Sequence, residues 1–337
     1  MTTYFGESSS DARYYLRPYS MSASAAAKTS APAVAEASAQ TSAQASNTVL
    51  MTPESSTVPE SSPVDGLEES RVIHYSTLQA FTAAVRQLKN NLYNGRTRNQ
   101  HLIVRDVDED IMKHIDDREY KAVRYEWHGD LELLIVKAVT KVHETAAAGF
   151  GCLISGTAEF LMGLPRIECQ LLGAGKNKAP GGSPRKEPDW SMVNADIRPN
   201  PDDFPSIVIE VGFSESLQKL RNNARLWFSM SSNDVRIVIL IAVRAAKNQI
   251  IIEKWTAGPL PAGQRRTRHT TSQVPQIEQE ITITRTPLNT FAITSGAAPL
   301  ILEFSRLFLR PAVGAEHDIL YTQAHLVEIA AAIFRMV

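Results

Sequence analysis

The sequence predicts a mixed α/β fold in which a mixed central sheet is flanked by helices, with a disordered N-terminal region and extra helices at the C-terminus. Three observations carry this. Residues 207–211, IVIEV, form a β-branched run of the length of a buried strand. Directly after it, Leu217, Leu220, Ala224, Trp227 and Phe228 make one apolar stripe at helical spacing. A second strongly apolar strand, residues 235–243, follows that helix.

The chain has 337 residues. Residues 20–66 are dominated by Ala, Ser, Thr, Pro and Gln and lack sustained apolar periodicity. Such a stretch buries too little surface to offset the entropy of ordering it. Residues 1–69 are therefore read as disordered, and residues 70–337 as one globular domain. The formal net charge of −1 gives no global field toward nucleic acid, which leaves local patches. Lys176, Lys178, Arg185 and Lys186 form one such patch in a Gly/Pro-rich loop, a candidate nucleic-acid contact or a solvated loop. Arg265, Arg266, Arg268 and His269 form another, read as a solvated loop.

The two cysteines, Cys152 and Cys169, make no disulfide framework, and nothing has zinc-ligand spacing. No apolar run approaches the length of a membrane span, and the N-terminus lacks the apolar core of a secretory signal. The expectation is an intracellular protein, nuclear or cytoplasmic, with no membrane contact.

In order along the domain, residues 76–92 carry a helical stripe with Ser76 as cap and Gly95 as stop. Residues 101–105 read as a strand, and 120–127 with 131–137 as a hairpin around His-Gly-Asp. Residues 139–161 read as helical in their first half, the second half being weakened by Gly149, Gly151 and Gly156. In its first turn, His143 and Glu144 read as a solvent-facing pair, Glu144 complementing the helix dipole. Residues 167–172 and 190–193 are further strands, and Ser214 or Glu215 opens the helix after residue 211. Residues 250–255 and 281–285 read as strands separated by a polar insertion. Two terminal helices, 300–309 and 319–336, are compatible with packing on the core or on a second copy of the chain.

Two carboxylates carry the candidate chemistry. Glu210 lies inside an apolar strand, where an ionised carboxylate is costly unless paired or metal-bound. Asp189 opens the strand before it, and a hairpin through the turn-rich segment 194–204 brings the two side by side. Like charges at that distance call for a cation between them, and Mg²⁺ takes oxygen ligands of this kind. From spacing alone the plainer reading is favoured: Asp189 as a turn residue after proline, Glu210 as an ion-pair partner.

The order helix, strand, strand, strand, helix, strand over residues 139–243 resembles the core of the PD-(D/E)XK, restriction-endonuclease-like superfamily. Glu187-Pro-Asp189 resembles its "PD" element, residues 207–216 (IVIEVGFSES) its strand-and-helix signature, and Val142-His-Glu144 its first-helix element. The likeness covers about residues 120–256. It implies a metal-dependent nuclease acting on DNA, in which Asp189 and Glu210 hold Mg²⁺ or Mn²⁺ and Glu144 is a third acidic group. The metal would neutralise phosphate charge and lower the pKa of bound water. The family lysine belongs two residues after Glu210, on the same strand face, and that residue is Gly212. Lys219 is the substitute candidate, with Gln218 beside it, although both lie off the apolar stripe of their helix. The alternatives are a catalytically inactive nuclease-like module that binds nucleic acid or protein, and an interaction protein whose acids are structural.

Overall fold

The computed structural model describes residues 62–116, 123–172, 177–213, 215–259 and 273–337. Residues 1–61, and with them most of the Ala/Ser-rich region, lie outside the described residues. Residues 62–69 do not share the expected disorder: they form turns, and Leu67 is buried against Ile103 and Ile135.

The domain opens with β1 (Arg71–His74), α1 (Leu78–Tyr93), β2 (His101–Arg105), α2 (Glu109–Asp116), β3 (Val123–His128) and β4 (Leu133–Ala138). Then come α3 (Lys141–Gly156), the short strands β5 (Gln170–Leu171), β6 (Asn177–Lys178) and β7 (Arg185–Lys186), then β8 (Trp190–Val193) and β9 (Ile207–Phe213). The chain continues through α4 (Leu217–Met230), β10 (Ile237–Arg244), β11 (Gln249–Pro259), β12 (Gln273–Arg285) and β13 (Phe291–Ser295). It ends with β14 (Leu300–Leu302), α5 (Phe304–Leu307), β15 (Ile319–Tyr321) and α6 (Gln323–Phe334).

The fold is mixed α/β, with two mixed sheets flanked by helices. The first sheet runs β1-β2-β4-β3-β7-β6, the second β13-β12-β11-β10-β9-β8-β5. In the second, β9 and β10 pair in parallel across the α4 crossover, while β8 and β9 form the expected antiparallel pair. Alternation along the strands sorts the cores. Ile207, Ile209 and Val211 face α3 and α6, whereas Val208 faces Leu220, Ala224 and Trp227 of α4. In the first sheet, Leu102, Val104, Leu134 and Val136 pack with Phe81, Met112 and Ile115 of α1 and α2.

Several boundaries differ from the sequence reading. Thr77, not Ser76, caps α1, its hydroxyl accepting from the Ala80 N–H. The glycines do not end α3, which continues to Gly156 and then as a π turn to Leu161. At Gly151 a side chain would collide with the Trp190 indole, so glycine there admits β8 against the helix. The run 167–172 is a 3₁₀ turn up to Cys169, and only Gln170–Leu171 are strand. The polar insertion is shorter than expected, because β12 already begins at Gln273. Residues 300–309 and 319–336 are not two helices. Leu300–Leu302 and Ile319–Tyr321 alternate buried, exposed, buried and pair as strands, leaving α5 as one turn and α6 as the terminal helix.

Candidate functional site: a buried acid and lysine cluster

The site is assembled where the second face of the first sheet meets the ends of β8 and β9. In the first sheet His101 lies opposite Lys137, and Glu126 lies opposite both Ile135 and Lys186. Directly opposed antiparallel residues share a face. Register therefore places His101 with Lys137, and Glu126 with Lys186, on one surface, with Ile135 among them. In the second sheet Trp190 faces Ile209. One further step of that register sets Asp189 beside Glu210, the juxtaposition expected from the sequence.

The pair is held by lysines. Lys137 Nζ donates to Asp189 Oδ2 at 2.8 Å and to the Val211 carbonyl at 2.7 Å, and lies 3.8 Å from Glu210 Oε2. The Val211 N–H donates to the same Asp189 oxygen at 2.8 Å. Glu210 Oε1 accepts from the Trp227 indole at 2.7 Å and lies 3.7 Å from Lys186 Nζ. Both carboxylate side chains are 2% exposed, so bulk water screens neither. Burial alone would raise Asp189; Lys137 overrides it and holds the carboxyl down at about 2.

A second centre adjoins the first. Glu126 accepts from Lys186 at 2.7 Å and from Lys219 at 2.9 Å, with His128 Nε2 3.1 Å away. Burial opposes its ionisation, but the two ammoniums keep its pKa well below the usual range. Burial lowers the pKa of Lys219, whereas in Lys186 the attraction of Glu126 outweighs burial and raises it. Lys219 also donates to the Pro63 carbonyl at 3.0 Å, and Ser216 Oγ to the Gly66 carbonyl, so residues 62–67 close over the N-terminus of α4.

Glu215 completes the set. It accepts from Gln100 Nε2 at 3.0 Å, and burial pushes its pKa up to about 7. Three ammoniums, Lys137, Lys186 and Lys219, thus face three carboxyl groups, Glu126, Asp189 and Glu210, plus one acid, Glu215, titrating near neutrality. Glu126, Glu210 and the three lysines line a cavity of about 10 Å³, room for roughly one water and too small for a phosphate group.

The structure treats the sequence candidates differently. Glu144 does not join the pair: it is exposed, while its neighbour His143 is buried. Thr140 sets that phase, its N–H donating to His143 Nδ1 at 3.2 Å. Burial holds His143 neutral, its pKa near 3. Its Nε2 and Asp189 Oδ1 are buried with no hydrogen-bond partner among the described residues. Lys219 is buried, reaching round to Glu126 rather than to Asp189 or Glu210. Gln218 is exposed and donates to Asn222. Gly212 has no room for a lysine, since even a Cβ there would lie 2.7 Å from Leu220 Cδ1.

Of the basic loop, Lys186 is an internal ion pair. Arg185 is buried over the Trp127 ring and lies 3.0 Å from Glu109 and 3.5 Å from Asp116. Neither presents charge to a nucleic acid, because each is already neutralised inside the protein. Lys178 is exposed; Lys176 and the patch 265–269 lie outside the described residues. Sequence reasoning missed Lys137, Glu126 and the site role of Glu215, and read the buried His143 as solvent-facing. The one available signal was Lys137 ending an otherwise wholly apolar strand, LLIVKA.

The ligand chemistry of Asp189, Glu210 and the Val211 carbonyl suits a hard divalent ion, but its centre is filled. The Lys137 ammonium sits among these oxygens, and with Lys186 it already balances both carboxylates. The arrangement as it stands does not fit Mg²⁺. No family model and no curated protein matches this chain.

Proposed function

We propose that this chain is a nuclease-like module that binds rather than cleaves, its acid pair serving as an internal ion-pair network. The carrying observation is that Asp189 and Glu210 are neutralised from within, by Lys137 and Lys186, and that the cavity lined by Glu210 and these lysines admits no phosphate. A hydrolytic site must leave its groups free to meet charge developing on the substrate. These groups are already spent on each other. A protein is favoured over DNA as the partner, because Arg185 and Lys186 are consumed in internal pairs.

A second reading, metal-dependent hydrolysis of DNA with the family resemblance behind it, is favoured by one observation. Asp189 Oδ1 is buried with no hydrogen-bond partner among the described residues, so one oxygen of the pair is still open to a ligand. The test is incubation of plasmid and single-stranded DNA with purified protein in Mg²⁺, Mn²⁺ or EDTA, beside an Asp189→Ala, Glu210→Ala double variant. The expected result is no metal-dependent cleavage by either protein. Cleavage present in the parent and absent in the variant would establish the second reading instead.

A further inference from the structure

The cation inside the oxygen nest is covalently part of the chain. Three oxygens converge on Lys137 Nζ: the Val211 carbonyl at 2.7 Å, Asp189 Oδ2 at 2.8 Å and Glu210 Oε2 at 3.8 Å. Carboxylate and backbone carbonyl oxygens are the donors that hard divalent ions take. Lys137 lies on one flank of Glu210 and Lys186, whose shorter contact is with Glu126 at 2.7 Å, on the other. Lys137 reaches the nest from β4, in the other sheet, so it occupies a place that β8 and β9 build without it. Asp189 Oδ1, buried and with no hydrogen-bond partner among the described residues, is an additional oxygen in the same carboxyl group.

We propose that the Lys137 ammonium is a resident replacement for a divalent cation, and that removing it turns the nest into a Mg²⁺ or Mn²⁺ site. The proposal rests on the reading of Asp189 and Glu210 as an internally neutralised pair. It differs in consequence, since it concerns what the nest binds and not whether DNA is cut. Without the Lys137 ammonium the cluster is short of one positive charge in a buried place, and a small dication supplies it with one unit in excess. With the ammonium present, a dication must displace an ion pair that is tethered and therefore always at hand.

The experiment uses the full chain as wild type, Lys137→Ala, Lys137→Gln, and Lys137→Ala combined with Asp189→Asn. Calorimetric titration with Mn²⁺ and Mg²⁺ is paired with thermal unfolding in metal or EDTA. Wild type is expected to show no saturable uptake and no shift in Tm. Lys137→Ala is expected to bind one ion and to gain about 5 °C in Tm at roughly a hundred times Kd. Asp189→Asn in that background should abolish both effects. Lys137→Gln keeps a donor toward Val211 and is the variant more tolerant of folding without metal; it should show the same gain in weaker form.

A folded Lys137 variant that ignores both ions would overturn the proposal. So would failure of both variants to fold even with Mn²⁺ present, or saturable uptake by wild type. Metal-dependent DNA cleavage by wild type would instead sink the non-cleaving reading, and the titrations would still report separately on the nest.

Discussion

Trp227 and Glu210 are joined across the sheet-helix interface: the indole N–H in α4 donates to the carboxylate oxygen in β9 at 2.7 Å, both side chains being buried. The apolar stripe that packs α4 on the sheet therefore also carries the one hydrogen bond that Glu210 receives from that helix. The helical stripe and the strand carboxylate, separate signals in the sequence, are two halves of one contact.

Replacing that indole separates packing from polarity. Trp227→Phe keeps an aromatic ring but leaves a buried, ionised acceptor short of a donor. Hydrogen bonds to charged groups contribute about 1.5–3 kcal/mol, and the smaller ring adds a cavity cost. A loss of about 3 kcal/mol is expected in urea unfolding.

The two partners of Glu126 are not equivalent to Glu126 itself. Glu126→Gln removes the carboxylate that Lys186 and Lys219 share, leaving Lys186 with Glu210 at 3.7 Å and Lys219 with the Pro63 carbonyl, and breaking a buried pair of this kind costs about 3–5 kcal/mol. Lys219→Met leaves Glu126 with Lys186 and His128, so its cost should be clearly smaller. Equal losses in chemical denaturation would show that the pairs are not organised as described.

Stability should fall as pH rises toward neutrality, because of Glu215. Its folded pKa, about 7, lies above the ordinary 4.5. Below pH 4.5 both states hold the proton and the contribution is complete. Between 4.5 and 7 the unfolded chain releases it first, so stability declines by at most about 1.4 kcal/mol per pH unit. Glu215→Gln should flatten that limb. Asp189 acts in the opposite sense: its folded value near 2 lies below 3.8, so its contribution is complete above pH 3.8 and is lost as pH falls toward 2. Unfolding free energies measured from pH 2 to 8 check both limbs.

Restoring the family lysine in its expected position should harm the protein. A Cβ at residue 212 would press on Leu220 and approach Glu215 Cβ at 3.1 Å. Gly212→Ala is expected to cost about 1–3 kcal/mol through overpacking, and Gly212→Lys more, with no gain of DNA cleavage. Thermal melts and the plasmid assay read the two effects.

Local signals carried the fold class and the Asp189 and Glu210 juxtaposition, because strand period, turn residues and register all act within a few residues. Lys137 escaped because its partners lie 52 and 74 residues away, in another sheet. The choice between His143 and Glu144 was a question of helix phase: one residue is about 100°, and the Thr140 contact at the N-terminus of α3 fixes it. Lys219 was judged against the strand it follows, whereas its partner Glu126 sits on the opposite sheet. Residues 300–302 and 319–321 were absorbed into helical patterns because three-residue strands are too short for period two to compete.

Lys137 belongs to one sheet, and the oxygens it holds belong to β9 and to Asp189, the residue just before β8. Neither half of that contact is tolerable alone, since each would be a buried charge without a counterion. The two sheets are thereby coupled in cooperativity as well as in space. The domain should melt in a single transition, with no stage at which one sheet stands while the other has dissolved.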